Sequence, residues 1–261
     1  VWPDKALGER IAKDFIAILV DVDKDEATAK QYGVSAMPTL VIADNKEKTL
    51  VKQVGAPFST AADAAKWFEN ISSALKDVSD LEAKHAKDAK DVDVSLKLAE
   101  TYLKLSRLAD AAKLLEEVLA ALPKDDKRVL DVKLKLADAL LKGDDDKDSE
   151  RGVALCKELT EAFVKAKDAR AMESVHGVMM GHWKAGEFKE AREALLKCVE
   201  LFPKHDKAIE YRVYAAYLCA QAGDKDTARK ELKAVVEAGP ADHQWVDTAK
   251  KVLEELDGEG K

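Results

Sequence analysis

Apolar residues run along this chain in two rhythms. Up to about residue 75 they come in short blocks between turn signals, and from Val92 onward they recur at helical spacing. The block Phe15-Ile16-Ala17-Ile18-Leu19-Val20 is nearly continuous, which predicts a strand buried on both faces, as in a parallel sheet. Thr39-Leu40-Val41-Ile42-Ala43 predicts a second strand, and residues 49–54 a third, joined by the turn Asp44-Asn45-Lys46-Glu47. Residues 5–13 form an amphipathic pattern with Ala6, Leu7 and Ile11 inward, and residues 25–32 a brief helix that Gly33 ends. Ser59 or Thr60 caps a helix to about Leu75, with Ala64, Trp67, Phe68 and Ile71 on its inward face. Residues 76–91 read as a helical extension followed by a solvated turn.

The second rhythm repeats. Leu98, Ala99, Tyr102, Ala111, Leu115, Val118 and Pro123 set a frame that recurs with Met179, His182, Gly186, Ala191, Leu195, Cys198 and Pro203. It recurs again with Ala216, Cys219, Gly223, Ala228, Leu232, Val235 and Pro240. This order and spacing resembles the tetratricopeptide (TPR) repeat, a helical hairpin of about 34 residues. Between Pro123 and Pro203 there is room for one degenerate copy, supplied by Leu134, Ala137, Leu140, Gly152, Cys156 and Leu159, with 142–149 as a lengthened loop. Residues 243–256 add one more amphipathic helix, as a solenoid needs to cover its last apolar face. Ala99 with Ala111, and Ala216 with Ala228, stand where the two helices of a hairpin must approach closely.

The first rhythm carries its own resemblance. An apolar strand, Asp21-Val22-Asp23, a short helix ending Tyr32-Gly33-Val34, then Met37-Pro38-Thr39 and a strand is similar to the C-terminal half of a thioredoxin fold. The resemblance implies a cis Met37-Pro38 bond in a loop that faces a Cys-x-x-Cys motif and pairs with substrate peptide. It also implies a central strand between the strands at 15–20 and 39–43. Neither that motif nor that strand is in the chain, which opens on Val1-Trp2-Pro3-Asp4 and reads as a processed or truncated N-terminus. Trp2-Pro3-Asp4 fits the segment that follows the redox motif in such proteins. The predicted fold is therefore a partial α/β thioredoxin-like domain (1–75), a helical linker (76–91), an all-α TPR solenoid of about four hairpins plus a capping helix (92–257), and a tail (258–261).

Composition narrows the function. With 36% charged residues of both signs interspersed and a net charge of −7, the chain offers no basic block, which disfavours nucleic acid as partner. No apolar run approaches the ~20 residues of a membrane span. Cys156, Cys198 and Cys219 are an odd, widely spaced set on repeat core positions. They argue against a disulfide framework and for a reducing, cytoplasmic setting, with export left open by the unknown upstream sequence.

Catalytic signals are absent. Of His85, His176, His182, His205 and His243, no two have the i, i+4 spacing that puts metal ligands on one helix face. The alternating aspartates at 144–148 and 21–25 suggest calcium only weakly, because Ser149 and Glu26 stand where the sharp turn needs Gly. No metal or other cofactor is expected. What is expected is binding of a client or partner polypeptide, through two surfaces. One is the loop Met37, Pro38, Thr39. The other is the groove lined by the first helices of the repeats: Leu96, Glu100 and Lys104 in one repeat, His176, Met180, Trp183 and Lys184 in another, and Tyr214, Tyr217 and Gln221 in a third. The two-part layout resembles bacterial thioredoxin–TPR proteins. This leaves two functions open, a chaperone-like interaction module or a thiol–disulfide oxidoreductase whose redox cysteines precede residue 1.

Overall fold

The computed structural model describes residues 4–143 and 145–258. Trp2-Pro3, Asp144 and most of the polar tail, to which expectations were attached, lie outside them. The chain divides into two compact units, residues 1–124 and 125–261.

In the first unit, α1 (Lys5–Ile11) starts where the Asp4 carboxylate accepts the Leu7 N–H at 2.9 Å. Its Leu7 and Ile11 are buried beside Phe58, Ala64 and Ala65. After α2 (Glu26–Gln31), the strands β1 (Thr39–Ala43) and β2 (Thr49–Val54) form an antiparallel hairpin in which Thr39 faces Val54 and Val41 faces Lys52. Asp44 closes the turn by accepting the N–H groups of Lys46 and Lys48. Val51 packs with Ile71, Ala74 and Leu105, which joins the hairpin to the helices that follow.

Residues 15–20 are not a strand, against expectation. Among the described residues the sheet is two-stranded, and Ile16, Ile18 and Leu19 are 80–97% exposed. A strand is held by the ladder beside it. With no neighbouring strand among the described residues, nothing holds this apolar run in a sheet. A thioredoxin-like sheet is accordingly not shown.

The helix α3 (Ala61–Lys87) is continuous through the expected border at 75 and 76. Its second half packs on α4 (Val92–Lys104) as the second helix of a hairpin would. Tyr102 Oη donates to Glu82 Oε1 at 2.9 Å, Arg107 pairs with the same carboxylate at 2.8 Å, and the Arg107 guanidinium lies 4.0 Å from the Tyr102 ring centre. Ala99 on α4 and Ala111 on α5 (Leu108–Ala121) are wholly buried, as close helix approach requires.

The second unit is helical throughout its described residues: α6 (Val129–Lys142), α7 (Asp146–Ala166), α8 (Ala171–Lys184), α9 (Phe188–Leu201), α10 (Ala208–Gln221), α11 (Lys225–Ala238) and α12 (Gln244–Gly258). Each helix packs on the next, and α6 with α8 and α10 with α12 touch as successive first helices. The lengthened loop expected at 142–149 is instead short. The extra residues extend α7 to 21 residues, and Asp145 caps it by accepting the Asp148 N–H at 3.0 Å. Gly177 and Gly181 let α8 close on α7, since a Cβ at Gly177 would lie 2.4 Å from Cys156 Sγ and one at Gly181 2.4 Å from Val153 Cγ1.

One local device recurs at the entry to every first helix. Asp91, Asp126 and Asp168 each accept the backbone N–H two residues ahead, at 2.8–3.0 Å. Before α12, His243 Nδ1 accepts from the Trp245 N–H at 3.2 Å, and before α10 the Lys207 N–H is taken by Asp206 Oδ1 at 2.9 Å, with His205 Nδ1 2.6 Å from the same oxygen. These side chains occupy a donor that the helix leaves unpaired at its start.

Candidate functional site

On α8, residues 173, 176, 180 and 183 fall three or four apart and so share one stripe. On α10, residues 210, 214, 217 and 221 do the same. Side chains from these stripes meet. The rings of Trp183 and Tyr217 lie 5.6 Å apart at 30°, and those of His176 and Tyr214 lie 6.5 Å apart. Tyr214 in turn meets Trp245, on α12, edge to face at 5.2 Å. An aromatic row thus runs over three successive first helices. Met180, Trp183, Tyr214, Tyr217 and Trp245 are half-buried, with part of each in the core and part at the surface. Separations of 5–7 Å with tilted planes are the favourable arrangements for such rings.

The floor under this row is fixed. Tyr211 is buried and donates its hydroxyl to the Met172 carbonyl at 2.7 Å. Desolvation drives the Tyr211 phenol well above its ordinary pKa, so it stays a donor. Charges edge the row. Lys207 pairs with Glu173, and Lys142 with Asp138 at 2.8 Å. Glu210 is half-buried. Burial raises its pKa, and the nearby Lys207 ammonium only partly opposes this. His176 has exposed surface, yet loss of water around it, and next the Lys207 charge, lower its pKa from the ordinary 6.5. Both causes favour the neutral imidazole at pH 7.

The residues expected in the groove fare differently. His176, Met180, Trp183, Tyr214 and Tyr217 come together as described. Lys184 turns away, donating from Nζ to Ser149 Oγ on α7 at 2.9 Å, because it continues the Gly177–Gly181 side of α8. Gln221 is exposed at the last position of α10. In the first unit, Leu96 and Glu100 are half-buried and Lys104 exposed, along one stripe of α4. In the loop expected to face peptide, the Met37-Pro38 bond is cis, the form that the resemblance implies for it. Met37 is 69% exposed, the Pro38 carbonyl accepts the Gly55 N–H at 2.8 Å, and Thr39 Oγ1 donates to the Ala36 carbonyl at 2.6 Å.

Two members of the site were not singled out from the sequence, Glu210 and Trp245. Glu210 stands four residues before Tyr214, so helical spacing alone could have found it. Trp245 lies on the capping helix, where an aromatic reads as cover for the core, and no local signal marks it as part of the row.

The cysteines are buried and unpaired, on α7, α9 and α10. Burial pushes the Cys156 and Cys198 thiols up to about 11 and raises that of Cys219. Among the described residues no three His, Cys, Asp or Glu side chains converge as a metal set would, and no helix is long and apolar enough to cross a membrane. A separate open recess of about 370 Å³ lies between Ala169 and residues 201–205, with a largely apolar lining.

Comparison with known proteins agrees on the repeats. Tetratricopeptide-repeat family models match residues 78–136 and 180–243. Among solved structures, the chain is similar to the nearly identical TPR-like repeats of a kinesin-light-chain-type protein from Podosopora anserina, at 19% identity and a TM-score of 0.53, covering 65% of this chain and 88% of that one. It is similar to YrrB, described as a TPR protein with an unusual peptide-binding site, at 16% identity and a TM-score of 0.52, covering 72% and 89%. It is also similar to residues 41 to the end of MamA from Desulfovibrio magneticus, at 18% identity and a TM-score of 0.52, covering 63% and 85%. At these identities the likeness concerns the fold. No curated protein matches the chain in sequence. The chain carries tetratricopeptide repeats, and no comparison supports a thioredoxin-like domain.

Proposed function

We propose that this TPR-containing chain binds a partner polypeptide across the face formed by α8, α10 and α12. Tetratricopeptide repeats mediate protein–protein interaction, and the choice of this face rests on one observation. The row Trp183–Tyr217 and His176–Tyr214–Trp245 leaves large, half-buried aromatic surface along successive first helices. Aromatic rings and a methionine, fixed from below and partly open above, are what the centre of a protein-binding patch offers. YrrB, whose fold is shared, is described as having a peptide-binding site, which supports the same use here. A chaperone-like role, holding extended clients, is the finer form of this reading. Met37, exposed beside Pro38, is a second apolar contact for such a client within the first unit.

Exchange chemistry gains nothing from the three thiols present, each buried and held protonated. The test is selection of peptides from a random displayed library on the purified chain, followed by titration on Trp183→Ala/Tyr217→Ala. Affinity should drop at least about tenfold, as for a paired aromatic hot spot, with the melting temperature little changed. A selected peptide that binds the double variant as well as the parent sinks the proposal. If the melting temperature collapses instead, Trp183→Phe is the second arm, and undiminished binding of the selected peptides by that folded variant counts against this face.

A further inference from the structure

Charge along the aromatic row does not balance locally. At its edges the opposite charges cancel in pairs: Glu173 with Lys207, and Asp138 with Lys142. Glu210 has no such partner. Among the described residues it has no hydrogen-bond partner, and Lys207, the cation whose charge acts on it, is already held by Glu173. Yet Glu210 is half-buried, and it stands one helical turn from Tyr214, whose phenol it further disfavours ionising. Water still reaches its oxygens, so the carboxylate can take the charge and donors of a bound cation without displacing another protein group.

The rings beside it are suited to the same ligand. Tyr214 and Trp245 meet edge to face, so their planes stand at 63° to one another. The rings of His176 and Tyr211 also lie near Tyr214, at 6.5 and 6.4 Å, and the lowered pKa of His176 keeps positive charge off its ring. Aromatic faces turned at an angle beside a carboxylate attract a positive group by the ring quadrupole as well as by charge. A guanidinium fits better than an ammonium. It is planar, weakly hydrated, stacks on Tyr or Trp, and offers a carboxylate two parallel donors.

We infer that Glu210, Tyr214, Trp245 and His176 form a subsite for an arginine side chain of the bound polypeptide. This rests on the peptide-binding reading above and specifies its ligand: an apolar segment carrying one central arginine. The Trp183–Tyr217 pair and Met180 take the flanking apolar residues, and the guanidinium sits over Tyr214 against the Glu210 carboxylate.

The probes are three labelled pentapeptides, acetyl-Leu-Ala-Arg-Ala-Leu-amide and its citrulline and lysine analogues, titrated by fluorescence anisotropy. Citrulline keeps the shape of arginine and removes the charge. Arginine should bind about tenfold or more tighter than citrulline, with lysine between them. Glu210→Gln should weaken the arginine peptide about five- to tenfold and leave the citrulline peptide unchanged, so that the two effects are coupled in a double-mutant cycle. Tyr214→Leu should act in the same direction, with folding checked by circular dichroism.

Equal binding of arginine and citrulline peptides overturns the inference while leaving peptide binding intact. So does an equal loss of both on Glu210→Gln. If no pentapeptide binds up to about 1 mM but a library-selected peptide does, arginine recognition falls and the peptide-binding reading stands. If neither binds, both fall.

Discussion

Tyr211 on α10 reaches across to α8 and gives its hydroxyl hydrogen bond to the backbone carbonyl of Met172, at 2.7 Å and out of contact with water. The bond ties two successive first helices together directly beneath His176 and Tyr214. It spends a backbone carbonyl that is already the acceptor of its own helix, so the second lone pair is used as well.

Tyr211→Phe removes the donor and leaves the ring. The buried carbonyl loses its second partner, whereas the unfolded chain loses only a hydroxyl–water hydrogen bond. The expected cost is about 1–2 kcal/mol, read as a lower urea midpoint with little change in the slope of the transition. Because the bond holds α8 against α10, the near-ultraviolet signal from the aromatic row should also weaken.

Two glycine substitutions should move stability in opposite directions. Alanine at Gly177 gains up to about 1 kcal/mol of helix propensity. However, its Cβ would meet Cys156 Sγ at 2.4 Å and Leu141 Cδ1 at 2.7 Å. Overpacking of that kind costs about 1–3 kcal/mol, so Gly177→Ala is expected to lower the melting temperature. Gly8, on α1, has nothing within 4 Å of where its Cβ would stand. Gly8→Ala therefore keeps the propensity gain, and should slow amide exchange in α1.

The thiols should be silent in the native state. With Cys156 and Cys198 titrating near 11 and Cys219 also raised, little thiolate exists at pH 7.5, and burial blocks what there is. A disulfide reagent at that pH should label none of the three within minutes, and all three in guanidinium chloride. Rapid labelling of a native thiol would show that a repeat core opens far more readily than its burial implies.

Acid should act through the aspartates that start the first helices of the second unit. The Arg128 side chain and its backbone N–H hold the Asp126 carboxyl down at about 2, and Arg170 lowers Asp168 in the same way. A carboxylate depressed in the folded state binds its proton more readily when unfolded. Its stabilisation is therefore complete above the ordinary aspartate value of 3.8 and is lost as pH falls from there toward 2. In Asp126→Asn that loss should be shallower over this window, measured as helical ellipticity against pH, with the variant less stable than the parent at pH 7.

Much of the helical architecture was legible from residue order. The pattern of Leu98, Ala99 and Tyr102 with Ala111 and Leu115, and its later copies, needs only helical spacing and small residues at close approaches, both written into neighbouring positions. The two strands at 39–43 and 49–54 were equally readable, because a hairpin is settled by its turn. The run at 15–20 was not. Its hydrophobicity describes what it could pair with, whereas strand formation depends on whether a partner ladder lies beside it, which is a fact about distant residues.

The site divides along the same line. Local spacing determined that His176, Met180 and Trp183 share one stripe and Tyr214 and Tyr217 another. Only the tertiary structure decided that these stripes meet, that Trp245 from the capping helix completes the row, that Lys184 goes to Ser149, and that Glu210 finds no hydrogen-bonding partner among the described residues. The reason is physical. A helix face is a property of three or four residues in sequence, whereas a ring contact, a diverted lysine or an unpaired carboxylate depends on which groups other helices bring within a few ångströms.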